Sequence, residues 1–497
     1  METLISHQRE AAFSMTNLRL KFPGDDSLLF KDLSFSVNKG EKVLLLGPSG
    51  CGKSTLLQVA SGIVPNSFEL PMKAEKLELP DSWGFVFQDP DTQFCMPYVD
   101  EELAFVLENL NVPRQDMTAL IVAALERVGL HLPDIHTLIL ELSQGMKQRL
   151  ALASVLLMEP EVLFLDEPSA LLDPEGTEQI WTSIQTAAAD QTVVIVEHKI
   201  EQIANWIDRV VLFTHDGKIV ADGSPDSIFS NFKEELIQYG IWYPGVWDDY
   251  LNSKAFKTLS ENRSSTSSVE VLHAKEFNGY RGKKSVIHVP NASISQGSWV
   301  TILGENGSGK SSLLLSLMQL LKTSGSLHVN GKQVVQKKQR RTLPAGLSLV
   351  FQNPELQFVT NTIVEELTIS LQEMSSMGAV SHAEEMIELF NLPVSGNRHP
   401  YQLSVGQKRR LSVATALTSS IDILLLDEPT FGQDARNTFA ILEKLESLRR
   451  NGMTIVMVTH DLNIASHFAT DCWKVADGKL VSCTRQGGVA DARLVYT

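Results

Sequence analysis

Nine residues, Gly47–Thr55, read GPSGCGKST, and the pattern returns at Gly304–Ser312 as GENGSGKSS. Each stretch follows an apolar run, Val43–Leu46 in the first case and Trp299–Leu303 in the second. The first continues into the helical-looking Leu56-Leu57-Gln58-Val59-Ala60. Strand, tight loop and helix start form the context that a phosphate-binding loop requires. In the first copy Gly47, Gly50 and Gly52 allow the turn, and the backbone of Pro48, Ser49 and Cys51 lines it. In the second copy Gly304, Glu305, Asn306, Gly307, Ser308 and Gly309 take those places. Successive N–H groups and the helix N-terminus face a polyanion. Lys53 and Lys310 are placed to reach its outer phosphates. The hydroxyls of Ser54 and Ser311 are placed to ligate Mg²⁺, with Thr55 and Ser312 closing the two stretches.

Other motifs recur in the same order. Phe87-Gln88-Asp89-Pro90 matches Phe351-Gln352-Asn353-Pro354, and Leu142-Ser143-Gln144-Gly145-Met146 matches Leu403-Ser404-Val405-Gly406-Gln407. Leu165-Asp166-Glu167-Pro168 matches Leu426-Asp427-Glu428-Pro429, and Glu197-His198 matches Thr459-His460. Lys53 and Lys310 stand 257 residues apart, while Ser143 and Ser404, and likewise Asp166 and Asp427, stand 261 apart. A period this long means two copies of one domain rather than a solenoid. A chain of 497 residues has room for both.

Strand and helix patterns alternate, so the fold class expected is α/β with a mostly parallel core sheet in each copy. Residues 1–15 read as an N-terminal extension, 16–240 as the first domain, 241–268 as a linker and 269–497 as the second domain. Leu18–Phe22 and Leu33–Val37 read as strands, and Asp100–Leu110 and Asp116–Gly129 as helices. In the last of these Leu120, Ala124 and Val128 fall on one face. Ile228–Tyr239 reads as one short amphipathic helix, and the Ser-rich stretch 261–268 as flexible by composition.

The net charge of −16 argues against a nucleic-acid surface. Cys51, Cys95, Cys472 and Cys483 show no metal-ligand spacing and read as reduced thiols of a cytosolic protein. No apolar run approaches the roughly 20 residues that span a bilayer. If a membrane is involved, it is through a partner.

Val162–Leu165 and Ile423–Leu426 are apolar strands that each end in Asp-Glu, which delivers carboxylates to the C-terminal edge of a parallel sheet. Asp166 and Asp427 suit Mg²⁺. Glu167 and Glu428 suit a base that polarises water. His198 and His460, at strand ends, suit contact with a terminal phosphate. The amides of Gln88 and Gln352 suit Mg²⁺ or water. Ser143 and Ser404 read either as N-caps or, with Gly145 and Gly406, as part of a second phosphate clamp.

This order of motifs resembles that of ATP-binding-cassette (ABC) ATPases, twice over. The resemblance implies a parallel core sheet, an antiparallel β subdomain and a helical subdomain in each copy, with ATP and Mg²⁺ as cofactors. It also implies head-to-tail pairing. Lys53, Ser54, Gln88, Asp166, Glu167 and His198 would be closed by Ser404 and Gly406. Lys310, Ser311, Gln352, Asp427, Glu428 and His460 would be closed by Ser143 and Gly145. Asp173 and Asp434 resemble the family's D-loop aspartates, and Phe22 and Tyr280 stand where an aromatic stacks on adenine. Gln144 and Met146 depart from the usual LSGGQ, which implies a weaker clamp for the second site. The second D-loop, Gly432-Gln433-Asp434, departs as well. Both halves keep glutamate and histidine, so two competent, unequal sites are expected.

The stretches Phe87–Phe94 and Phe351–Phe358 share the form FQ[DN]P[DE]xQF, similar to the coupling segment of energy-coupling-factor (ECF) importers. That resemblance implies Gln93 and Gln357 as coupling residues, transmembrane T and substrate-binding S components as partners, and a place on the cytoplasmic face of the membrane. A fused pair resembles ATP-binding subunits that energise hydroxymethylpyrimidine/thiamine import. The alternatives are the ATPase of a metal-ion or sugar importer, and a soluble tandem ATPase. A short linker and the lack of a cysteine cluster weigh against the last.

Overall fold

The computed structural model describes residues 10–24, 27–48, 50–170, 172–261, 267–335, 343–369, 371, 376–390, 392, 398–417 and 421–485. The chain divides into two compact units, Met1–Val246 with Asp434–Arg436 and Trp247–Gln433 with Asn437–Thr497.

The first unit holds a six-stranded sheet in the order Ile219–Gly223, Arg209–Phe213, Lys42–Leu46, Thr192–Val196, Val162–Asp166, Trp83–Val86. All neighbours are parallel except the first two. Apart from end residues such as Lys42, Thr192 and Asp166, the central strands are apolar and buried, as strands covered on both faces must be. A separate antiparallel sheet forms around Ala11–Leu20, paired with Phe30–Asn38 and with two short strands. In the second unit the same two layers merge into one ten-stranded sheet. The join is a parallel bridge, His288 to Lys479, between Lys284–Ser295 and Lys479–Arg485.

Register decides where the motifs go. Asp166 pairs with Val196, which also pairs with Leu45 of the strand that precedes the first loop. Asp427 pairs with Val458, and Val458 with Ile302. Each Asp-Glu pair, each histidine and each phosphate loop therefore arrive at one edge of their own sheet.

Several expectations need correction. The strand at the N-terminus begins at Ala11, inside the stretch read as an extension. The helix Arg114–Arg127 buries Met117, Ile121, Ala124 and Leu125, while Leu120 is exposed. Ala124 and Val128 are buried as read, while Leu120 falls about a quarter turn from the centre of the buried stripe. Ile228–Tyr239 is two helices, Pro225–Asn231 and Lys233–Tyr239, separated at Phe232 with φ −116° and ψ 29°. The stretch read as linker contains helices Val246–Asn252 and Lys254–Glu261. They pack within the second unit: Tyr250 stacks on Phe439 with ring centroids 3.9 Å apart, and Phe256 meets Phe468 at 5.8 Å. Such aromatic burial outweighs the polar, Ser-containing composition that suggested a tether. Residues 262–266 lie outside the described residues.

Candidate nucleotide sites

In the first unit the helix Lys53–Ala60 starts directly from the loop, with Gly52 as its N-cap at φ 100°. A Cβ there would come within 2.8 Å of Phe30, so the left-handed backbone and the crowding both call for glycine. Gly309 repeats this at φ 108°, 2.9 Å from the Val286 carbonyl. Lys53 Nζ donates to the carbonyls of Gly47 (2.7 Å) and Pro48 (3.0 Å). Lys310 Nζ donates to Gly304 (2.7 Å) and Glu305 (2.8 Å). The ammonium groups are thus held over their own loops. Ser49 lies outside the described residues.

Ser54 Oγ donates to Asp166 at 2.8 Å, and the Ser311 side chain favours the charged form of Asp427 in the second site. Burial pushes both aspartates up to about 6, and each neighbouring glutamate adds to the shift. Asp427 Oδ1 is buried with no hydrogen-bond partner. A hydroxyl beside a buried, unsatisfied carboxylate oxygen is a hard-oxygen set that fits Mg²⁺.

Glu167 and Glu428 both adopt left-handed backbone, φ 49° and 50°. Non-glycine residues in that region cost on the order of 1 kcal/mol or more, yet the strain recurs at the same place in both units. Each backbone N–H is fixed by the neighbouring strand, to Val196 (2.8 Å) and Val458 (3.0 Å). His198 Nε2 lies 3.0 Å from Glu167, and His460 Nε2 lies 3.1 Å from Glu428. Both contacts are at ion-pair distance. Burial opposes charge on both members of the first pair, but the His198 contact holds Glu167 low and Glu167 holds His198 high. Gln88 donates to the other oxygen of Glu167 at 2.9 Å, so its amide sits on the glutamate rather than on Asp166. Gln352 is exposed after the strand Leu347–Val350.

Ser143 and Ser404 are N-caps: each Oγ accepts from the N–H three residues on, both at 3.3 Å. Only the second helix has the reciprocal bond, Ser404 N–H to Gln407 Oε1 at 3.0 Å; Met146 has no oxygen to offer. Gly145 and Gly406 lie in the first turns of these helices. Asp173 caps the helix Pro174–Ala187 through the Gly176 N–H at 2.7 Å. Phe22 is exposed, and Tyr280 Oη lies 3.1 Å from Ser324 Oγ.

Gln93 and Gln357 turn inward, onto the signature helix of their own unit. Gln357 donates to the Ser412 carbonyl (2.8 Å) and Thr415 Oγ1 (2.6 Å), and accepts from Ser412 Oγ (2.7 Å). Gln93 makes one long bond to the Ala151 carbonyl, 3.4 Å, and its Oε1 is buried without a partner. Ion pairs that the sequence reading missed reinforce both contacts: Lys147–Asp91 at 2.6 Å and Lys408–Glu355 at 2.5 Å. The equivalent placement of the two lysines in the repeat was the available signal. Glu102 and Glu366, both buried, tie down the chain that follows, each accepting two backbone N–H groups.

The ABC transporter family profile matches residues 30–170 and 287–431. A Bacillus subtilis (strain 168) protein provisionally named for HMP/thiamine import ATP binding, YkoD, is 36% identical, over 92% of this chain and 88% of its own length. A Sulfurisphaera tokodaii protein provisionally named an ABC transporter ATP-binding protein is 32% identical, over 95% of this chain and 98% of its own. Among solved structures, an RNase-L inhibitor superposes with TM-score 0.63 at 19% identity, covering 95% of this chain and 91% of that one. That last likeness is one of fold. No helix among the described residues is long and apolar enough to cross a membrane. With two family segments, each carrying a phosphate loop and a strand-end Asp-Glu, the chain belongs to the ABC transporter family and is an ATP-binding, ATP-hydrolysing transport ATPase with two ATPase domains.

Proposed function

We propose that this ATPase energises import of a vitamin or vitamin precursor, of the hydroxymethylpyrimidine/thiamine class, through an ECF-type transporter. The single observation that carries the reading is the coupling segment, repeated as FQ[DN]P[DE]xQF and locked in each unit to the signature helix by glutamine and an ion pair. The name of the B. subtilis relative supports the substrate class. Transmembrane T and substrate-binding S components are the partners, and the chain works at the cytoplasmic face of the membrane.

ATP binds over Lys53 and Lys310, with Ser143, Gly145, Ser404 and Gly406 as the clamps that close on the terminal phosphates. Ser54 with Asp166, and Ser311 with Asp427, would hold Mg²⁺, which neutralises phosphate charge when bound. Gln88 and Gln352 flank these sets. Glu167 and Glu428 orient and polarise water, and His198 and His460 fix the rotamer of each glutamate. Gln93 and Gln357 act as struts rather than as partner contacts. They hold Pro90–Thr92 and Pro354–Leu356 against the signature helices, so that a pull on the segment moves the clamp serine. The exposed Leu356 and Val359 are the side chains left to meet a partner in the second domain.

The test is co-purification from detergent-solubilised membranes with mass spectrometry of the bound proteins. A small, very hydrophobic S component together with a T component is the expected result; recovery of the chain free of membrane proteins would overturn the transporter assignment. Uptake of labelled thiamine precursor in a strain lacking the gene tests the substrate.

A further inference from the structure

Two buried positions next to the candidate catalytic residues, but outside the phosphate loops, differ in charge between the repeats. The first lies on the signature helix. Arg409 is 3% exposed. Its Nη1 donates to the Phe351 carbonyl at 3.1 Å, just before Gln352, and its Nε has no partner. Burial pushes this guanidinium down to about 10, while Glu428 and then Asp427 hold it up. The first domain has Gln148 at the equivalent place, fully buried, with its amide on the carbonyls of Phe87 (3.4 Å) and Gln88 (3.2 Å). The mechanical contact is the same, but the charge is absent.

The second position precedes the histidine. Glu197 is 3% exposed. Its Oε2 accepts from Ser169 Oγ at 2.7 Å, and its Oε1 accepts the backbone N–H groups of His198 (2.7 Å) and Lys199 (3.3 Å). The second domain has Thr459 there, equally buried, with its Oγ1 accepting from the Asp461 N–H at 3.1 Å. The turn is held in both domains, but only the first holds it with a carboxylate.

The two sites therefore share geometry and differ in buried charge. In the first domain Asp166 interacts with Lys53 and Glu167, and Glu197 with Glu167; in the second Asp427 interacts with Lys310, Glu428 and Arg409. Glu305, in the loop position of Pro48, is exposed and so largely screened. We infer that Gln148/Arg409 and Glu197/Thr459 are affinity-setting positions that make the second domain the tighter binder of anionic nucleotide before any clamp closes. The inference rests on the assignment of nucleotide to both phosphate loops and adds an order of affinity to it.

The test uses the full-length chain, Mg²⁺ and fluorescent mant-ADP, with Lys310→Ala isolating the first site and Lys53→Ala the second. Within the Lys53→Ala chain, Arg409→Gln is expected to weaken binding about tenfold, the order of one poorly screened charge. Arg409→Lys should recover affinity to within about twofold, since it restores the charge. Within the Lys310→Ala chain, Glu197→Gln keeps a donor and an acceptor for its neighbours and should tighten binding several-fold. A purely structural role would weaken it. Equal weakening by Arg409→Gln and Arg409→Lys, or weaker binding in Glu197→Gln, would overturn the inference. Undiminished binding in the chain lacking both lysines would instead overturn the assignment of nucleotide to the two loops.

Discussion

The two ATPase domains carry the same motifs on the same sheet edge, yet they are fastened differently. In the second domain the signature helix has a reciprocal cap, Ser404 with Gln407, and a three-bond lock on Gln357. In the first, Ser143 caps alone and Gln93 makes a single long bond, leaving one oxygen buried and unsatisfied. Three positions differ: Met146 for Gln407, Ala151 for Ser412 and Ser154 for Thr415. The candidate glutamate–histidine pairs show no such divergence, since both glutamates keep the strained backbone and both histidines stay within 3.1 Å of them. Chemistry constrains a few atoms tightly; the struts behind them tolerate change.

The comparison can be broken most forcefully at the phosphate loops. Lys53→Ala with Lys310→Ala should reduce mant-ADP affinity at least about a hundredfold, because each ammonium supplies a desolvated charge at the phosphates; equilibrium titration of the double variant measures it. Next is the lock on the coupling segment. Ser412→Ala removes the hydroxyl on Gln357 Oε1 and should destabilise the second domain by about 1–3 kcal/mol, since it strands a buried acceptor. The reverse change, Ala151→Ser, offers Gln93 Oε1 the missing donor and should stabilise the first domain by about 1 kcal/mol. Domain-resolved hydrogen exchange of the signature helices reads both. If neither shifts protection, the glutamines are not struts. The smallest effect belongs to the cap: Met146→Gln should complete the capping box and add about 0.5–1 kcal/mol to the first signature helix. The same substitution should raise turnover at the second site if Ser143 is its clamp.

Much of this was legible in the chain. The loops, the strand-end Asp-Glu pairs, the histidines and the serine caps announce themselves because their chemistry needs fixed residue types at fixed spacing. The parallel core followed from apolar strands alternating with helices. What stayed hidden depended on burial that no local pattern reports. Arg409 and Gln148 look like surface residues of a polar helix start, and only their packing under the glutamine loop makes them internal. Glu197 reads as a neighbour of the histidine until Ser169 and two backbone N–H groups are seen to enclose it. Trp247, Tyr250 and Phe256 lay in a stretch read as linker, and their aromatic partners Phe439 and Phe468 come from about two hundred residues on.

The central claim, that both domains hydrolyse ATP through the same glutamate–histidine pair, is tested most directly by steady-state ATPase of the full-length chain carrying Glu167→Gln or Glu428→Gln. Loss of a general base lowers turnover at its own site by about 10²–10⁴-fold. The account predicts that each single variant loses a substantial part of the activity and that the double variant falls to background. Unchanged turnover in Glu428→Gln beside complete loss in Glu167→Gln would contradict it, and would leave the second domain a nucleotide-holding site without hydrolysis.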